Sequence, residues 1–121
     1  MPRLEACLVD AYDTIVTCDF SILRNELSAL TGISPDTWQV EYARIGALVS
    51  DGRLSKAEAF AQLLRAAGRE AGPGLVDELV RQDQELLLAN ARLYDDTIPF
   101  LQGLRDRGIK IAVVSNCSIR M

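Results

Sequence analysis

The 121-residue sequence contains no histidine, and this absence removes the commonest general base at neutral pH together with Ser-His-Asp and Cys-His catalysis. Cysteine is sparse. Cys7, Cys18 and Cys117 form an odd set without a CxxC pair, which speaks for a reduced, cytoplasmic chain and against a zinc site. Long apolar runs are lacking too. The longest, Ile111-Ala112-Val113-Val114 and Leu86-Leu87-Leu88-Ala89, fall far short of the roughly 18 residues of a membrane-spanning helix. Glu5 and Asp10 interrupt the N-terminal segment, so it does not read as a basic n-region followed by an apolar export signal. Excess positive charge is also missing. A net charge of -4 has the wrong sign for binding driven by phosphate backbones, which argues against nucleic acid as the partner. Lysine occurs only at Lys56 and Lys110, so a catalytic lysine has two candidates. What remains, 49% hydrophobic and 25% charged residues, is the balance of an ordinary globular chain.

Leu4 to Asp10 and Ile109 to Val114 are short, β-branched apolar segments, ending in an acid and in Ser115-Asn116 respectively. Such non-alternating runs predict parallel strands buried on both faces, with helices between them. The intervening pattern is helical. Ile22, Leu23, Leu27 and Leu30 recur at helical spacing from Phe20, and Thr31-Gly32 ends that helix. Ser34-Pro35-Asp36 opens a second with a hydroxyl cap and a proline at the first position, and its stripe is Trp38, Tyr42, Ile45, Leu48 and Val49. Ser55-Lys56-Ala57-Glu58 is a capping box for a third, carrying Phe60, Leu63 and Leu64 to Ala67. After the break at Gly72-Pro73-Gly74, a fourth helix is expected from Leu75 to about Leu93, and a fifth from Thr97 to Gly108. A connection this long exceeds the single helix that one crossover needs. The sequence therefore divides into a strand-bearing core, residues 1–17 and 95–121, and an inserted helical module, residues 18–94.

Ligands of open α/β sheets bind outside the carboxyl ends of the strands. Asp10 stands at such an end, where its carboxylate can attack an electrophile to form an ester or acyl phosphate that water then hydrolyses. Ser115 and Asn116 end the other strand and offer neutral donors to an anionic group.

Ala6-Cys7-Leu8-Val9-Asp10-Ala11-Tyr12-Asp13-Thr14-Ile15 is similar to the first motif of the haloacid dehalogenase (HAD) superfamily, an apolar strand followed by Asp-x-Asp-Gly-Thr-Leu. Ile109 to Asn116 resembles the second motif. Tyr94 to Leu101 and Leu104 to Gly108 resemble its lead-in helix, and the helical insertion stands where members with a small helical cap carry theirs. The resemblance implies an α/β fold: a Rossmannoid core, incomplete here with two parallel strands, carrying an α-helical bundle cap. It implies Asp10 as nucleophile and Tyr12, Thr14, Ser115 and Asn116 around a small anionic substrate. Magnesium, if the chemistry is phosphatase-like, would take Asp10 and the Tyr12 backbone carbonyl; dehalogenase-like chemistry needs no cofactor.

Two departures shape the expectation. Tyr12 replaces the aspartate that protonates the leaving alkoxide in the phosphatases, and a phenol with a pKa near 10 is a poor acid for that step. Tyrosine there is what 2-haloacid dehalogenases carry, and halide leaves without a proton. Their cap arginine has no clear counterpart around Trp38-Gln39; Arg44 and Arg53 are the candidates, against the commoner reading of each as an ordinary surface arginine. Asp13 replaces the usual glycine, either as a turn residue or as a second carboxylate near Asp10.

The third and fourth motifs, a lysine and an acidic pair, have no counterpart, since Lys56 falls in the cap and Lys110 in a strand. Two parallel strands alone are marginal. The expectation is a truncated portion of a longer enzyme, inactive by itself, or a chain whose sheet is covered by a partner or a second copy in a homodimer. The competing readings are a purely structural motif in which Asp10 is only a turn residue, a non-catalytic HAD-like binding or interaction module favoured by Tyr12, Asp13 and the missing motifs, and a simple helical interaction domain.

Overall fold

The computed structural model describes residues 3–115. It is a mixed α/β structure, mostly helical with a short parallel sheet. The order is β1 (Ala6–Asp10), β2 (Val16–Cys18), α1 (Phe20–Thr31), α2 (Pro35–Ser50), α3 (Lys56–Ala66), α4 (Pro73–Asn90), β3 (Ala91–Leu93), α5 (Thr97–Asp106) and β4 (Lys110–Val114). The chain forms two compact units, one holding residues 3–18 and 90–115 and the other Asp19–Ala89. Among the described residues no helix is long and apolar enough to cross a membrane.

The helical unit begins and ends its helices where local chemistry satisfies the free backbone groups. The Asp19 carboxylate accepts the Ser21 amide at the start of α1, and Gly32 closes that helix at φ 68°, a conformation costly for residues with a Cβ. Ser34 caps α2 by accepting the Thr37 amide at 3.2 Å, ahead of Pro35. At α3 the capping box is complete. The Glu58 amide donates to Ser55 Oγ at 3.1 Å while the Ser55 amide donates to Glu58 Oε2 at 2.7 Å.

The core of this unit is built by Leu23 and Leu27 of α1, Trp38, Ile45 and Val49 of α2, Phe60, Leu63 and Leu64 of α3, and Val76, Leu79 and Leu87 of α4. Phe60 lies at its centre, with ring centroids 5.8 Å from Trp38 and 6.5 Å from Tyr42. The predicted stripes are thus partly displaced. Ile22 and Leu30 of α1 remain exposed, because one face of a helix offers more apolar positions than its neighbours cover. Lys56 is held inside the unit: its ammonium donates to the Tyr42 hydroxyl at 2.8 Å and lies 3.5 Å from the Asp83 carboxylate.

In the strand-bearing unit β1 and β4 pair in parallel, with Cys7 opposite Ile111, Val9 opposite Val113 and Asp10 opposite Val114. Helix α5 packs beside β4. The expectation of strands buried on both faces fails. Val9 is buried, whereas Leu8 is 74% exposed and Val113 and Val114 more than half exposed, since each strand has a single hydrogen-bonded neighbour among the described residues.

A second correction concerns the fourth helix, expected to run to about Leu93. It stops at Asn90, and Ala91–Leu93 pairs antiparallel with Val16–Cys18, placing Val16 opposite Leu93 and Cys18 opposite Ala91. The segments that leave and re-enter the strand-bearing unit are therefore zipped into a ribbon, which no hydrophobic period of three residues can signal.

Candidate active site

Asp10 ends β1 with its side chain exposed to solvent, and pairing with Val114 brings Ser115, the next residue, out of β4 at the same sheet edge. The sheet thus delivers an acid and a hydroxyl to one end from positions more than a hundred residues apart in sequence. Ser115 Oγ is buried and has no hydrogen-bond partner among the described residues. Buried polar atoms are rarely left unsatisfied. The Ser115 hydroxyl is therefore an unsatisfied polar group at the end of β4.

The loop that follows Asp10 is a tight turn folded around one carbonyl. Ala11 O accepts the amides of Thr14, Ile15 and Val16 at 3.3, 2.9 and 3.0 Å, and the Asp13 amide donates to Val16 O at 2.8 Å. Tyr12 makes an isolated bridge to Val16 and is half-buried. Asp13 takes φ 60°, the sole positive φ outside glycine among the described residues. This fits the turn reading, since aspartate tolerates the left-handed region better than most residues with a Cβ.

The turn also folds Thr14 back onto the acid. Thr14 Oγ1 donates to Asp10 Oδ2 at 3.3 Å, leaving Oδ1 as the oxygen not engaged by that hydroxyl. Thr14, expected to bind substrate, is thus joined to the carboxylate by its own hydroxyl. Asn116 lies outside the described residues.

The other end of the loop is anchored from α5. Ile15 is buried, and its carbonyl accepts both the Tyr94 amide at 3.3 Å and the Thr97 hydroxyl at 2.7 Å. Thr97 is 1% exposed. Sequence reasoning registered Thr97 only as a helix start, and nothing in local spacing could link it to a residue 82 positions away.

Of the two lysines, Lys56 is engaged inside the helical unit and Lys110 begins β4, at the opposite end of the strand from Val114. Of the candidate cap arginines, Arg44 pairs with Glu41 at 3.0 Å and its side chain is 65% exposed, and Arg53 is exposed. A magnesium ion requires close to six oxygens in octahedral array. The Asp10 carboxylate and the Tyr12 carbonyl supply too few, and the described residues contain no group of three or more acids or thiols able to hold a metal. The residues present do not by themselves fit that ion, and the chemistry considered below is that of the chain's own atoms.

A family profile described as "Hydrolase: haloacid dehalogenase-like hydrolase" matches residues 4–121. Among solved structures, the fold is similar to that of a predicted phosphoglycolate phosphatase from Haemophilus somnus 129pt, with a TM-score of 0.55 and 19% identity. The superposition covers 97% of this chain and 53% of that one, so the chain spans about half the length of its structural relative. No curated protein matches.

Proposed function

The chain belongs to the haloacid dehalogenase-like hydrolases, and from that premise we propose that Asp10 is a nucleophile acting on a small anionic substrate through a covalent aspartyl intermediate. The observation that carries this reading is the pairing, at one sheet end, of an exposed carboxylate oriented by Thr14 with the unsatisfied Ser115 hydroxyl. Asp10 Oδ1 attacks, its bond to the electrophilic atom forms as the bond to the leaving group breaks, and Ser115 Oγ donates to an oxygen of the anion. Water then hydrolyses the intermediate and returns the carboxylate.

Tyr12 bears on what can leave. If the substrate is a phosphate monoester, the departing alkoxide takes a proton, a step for which a phenol is poorly tuned near neutral pH. If it is a 2-haloacid, Asp10 displaces halide from carbon and no proton is needed. The reading therefore favours a leaving group that departs unprotonated, with Tyr12 forming part of the substrate wall. A phosphatase reading draws on the described function of the structural relative, and it predicts a strong dependence on leaving-group basicity, because no carboxylic acid stands at position 12.

Asp10→Asn in the full-length protein should reduce hydrolysis of 2-haloacids and of activated phosphate esters to background with the fold intact. Turnover unchanged by this substitution would overturn the nucleophile. A wild-type protein that binds small anions yet turns over none of these substrates would favour the binding module.

A further inference from the structure

We propose that Thr97 is a positioning residue for the Asp10 loop, fixing from the start of α5 the turn on which the carboxylate is carried. The proposal rests on the reading of Asp10 as nucleophile for its consequence in catalysis, but its structural content stands on separate observations.

Three contacts join into one path. The Thr97 hydroxyl, on a residue 1% exposed, donates to the Ile15 carbonyl at 2.7 Å. The Ile15 amide donates to Ala11 O, which also gathers the amides of Thr14 and Val16. Thr14 Oγ1, inside that turn, donates to Asp10 Oδ2. Displacing Ile15 therefore moves the residue that orients the acid. Two further restraints are modest: the Tyr94 amide reaches the same carbonyl at the longer distance of 3.3 Å, and the adjoining ribbon is three residues on each side.

The backbone needs the help. Asp13 sits at φ 60°, so the turn contains a residue in a conformation it does not prefer, and such a turn persists when its surroundings hold it. Thr97 is also placed to be stiff. Its amide donates to Tyr94 O at 3.0 Å, and it lies in the first turn of α5, so the hydroxyl is presented from regular structure rather than from a second loop. A β-branched side chain further restricts the rotamer.

The test compares Thr97→Val, which keeps shape and removes the donor, with Thr97→Ser, which keeps the donor, in the full-length protein. Hydrogen exchange of the amides at residues 11–16 should rise about three- to tenfold in the valine variant, the range corresponding to one lost hydrogen bond, and return to within about twofold of wild type in the serine variant. Amides of α3 serve as the unchanged reference. The rate of covalent capture of Asp10 by a 2-haloacid should fall in the valine variant without a change in the concentration giving half-maximal rate. Loop exchange unchanged in Thr97→Val overturns the proposal, as does a loosened loop with unchanged capture. A loosened loop in a protein whose wild type is never captured overturns the nucleophile instead and supports the hold of Thr97 on the loop. Should the valine variant not fold, the wild type decides: the Thr97 hydroxyl proton should be observable by NMR as a slowly exchanging signal, and a freely exchanging hydroxyl would overturn the proposal.

Discussion

Replacing Phe60 with alanine should cost the helical unit about 4 kcal/mol, a value in the usual range for truncating a buried aromatic. Phe60 is fully buried, and an aromatic side chain of this kind removes roughly 150–250 Å² from water, or about 4–6 kcal/mol at 25 cal/mol per Å². The β-carbon that alanine retains and the partial burial in real unfolded chains reduce this to about 3 kcal/mol. Loss of the tilted ring contacts to Trp38 and Tyr42 restores roughly 0.5–1.5 kcal/mol. The assay is built into the sequence. Trp38 is the single tryptophan, is buried, and lies in ring contact with Phe60, so its fluorescence during urea unfolding reports on this unit. With a slope of about 1–3 kcal/mol per molar, the midpoint should fall by about 1.3 M or more, and the loss is a large part of a typical stability of about 5–15 kcal/mol. Phe60→Leu should lose far less, under about 1.5 kcal/mol if the site repacks. A loss below about 1.5 kcal/mol for alanine, or equal losses for alanine and leucine, would refute the placement of Phe60 at the centre of the core.

Ser55→Ala should destabilise α3 by about 1 kcal/mol, measured by the same fluorescence transition. The Ser55 backbone amide, and then its hydroxyl, hold the Glu58 carboxyl below the ordinary glutamate range. A lowered folded pKa means that the contribution of this carboxylate is present above the unfolded value of about 4.3 and is lost as pH falls through the lower folded value. NMR titration of Glu58 should show that depression and show it lessened in Ser55→Ala; an unchanged titration would argue against the box. At Asp13 the positive φ predicts opposite outcomes for two substitutions. Asp13→Val should cost about 1–2 kcal/mol, whereas Asp13→Gly should cost nothing or add up to about 1 kcal/mol, both by thermal unfolding. Equal losses would mean that the left-handed backbone is not what position 13 selects for.

The features legible in the sequence are those whose causes are local. Ser34-Pro35 and the Ser55/Glu58 box announce helix starts because a cap acts within three residues, and the buried stripe of α3 follows from helical periodicity alone. Asp10 and Ser115 come to one sheet end as expected, because locating two apolar runs is enough to place the ends of the strands. The β2–β3 ribbon escaped because three-residue strands carry no period and because Ala91-Arg92-Leu93 continues the apolar pattern of the preceding helix. The exposure of Val113 and Val114 escaped for another reason: burial of a strand depends on neighbours, and the sequence of the strand does not specify them. Thr97 and Ile15 meet only through the tertiary fold.

The central claim is that Asp10 is the atom source of a covalent intermediate, and peptide mass mapping after incubation with a 2-haloacid and a rapid acid quench tests it most directly. The account predicts an adduct on the peptide bearing Asp10, absent from Asp10→Asn and reduced in Ser115→Ala. An adduct on a different residue, or full hydrolysis by the Asp10→Asn protein, would contradict it.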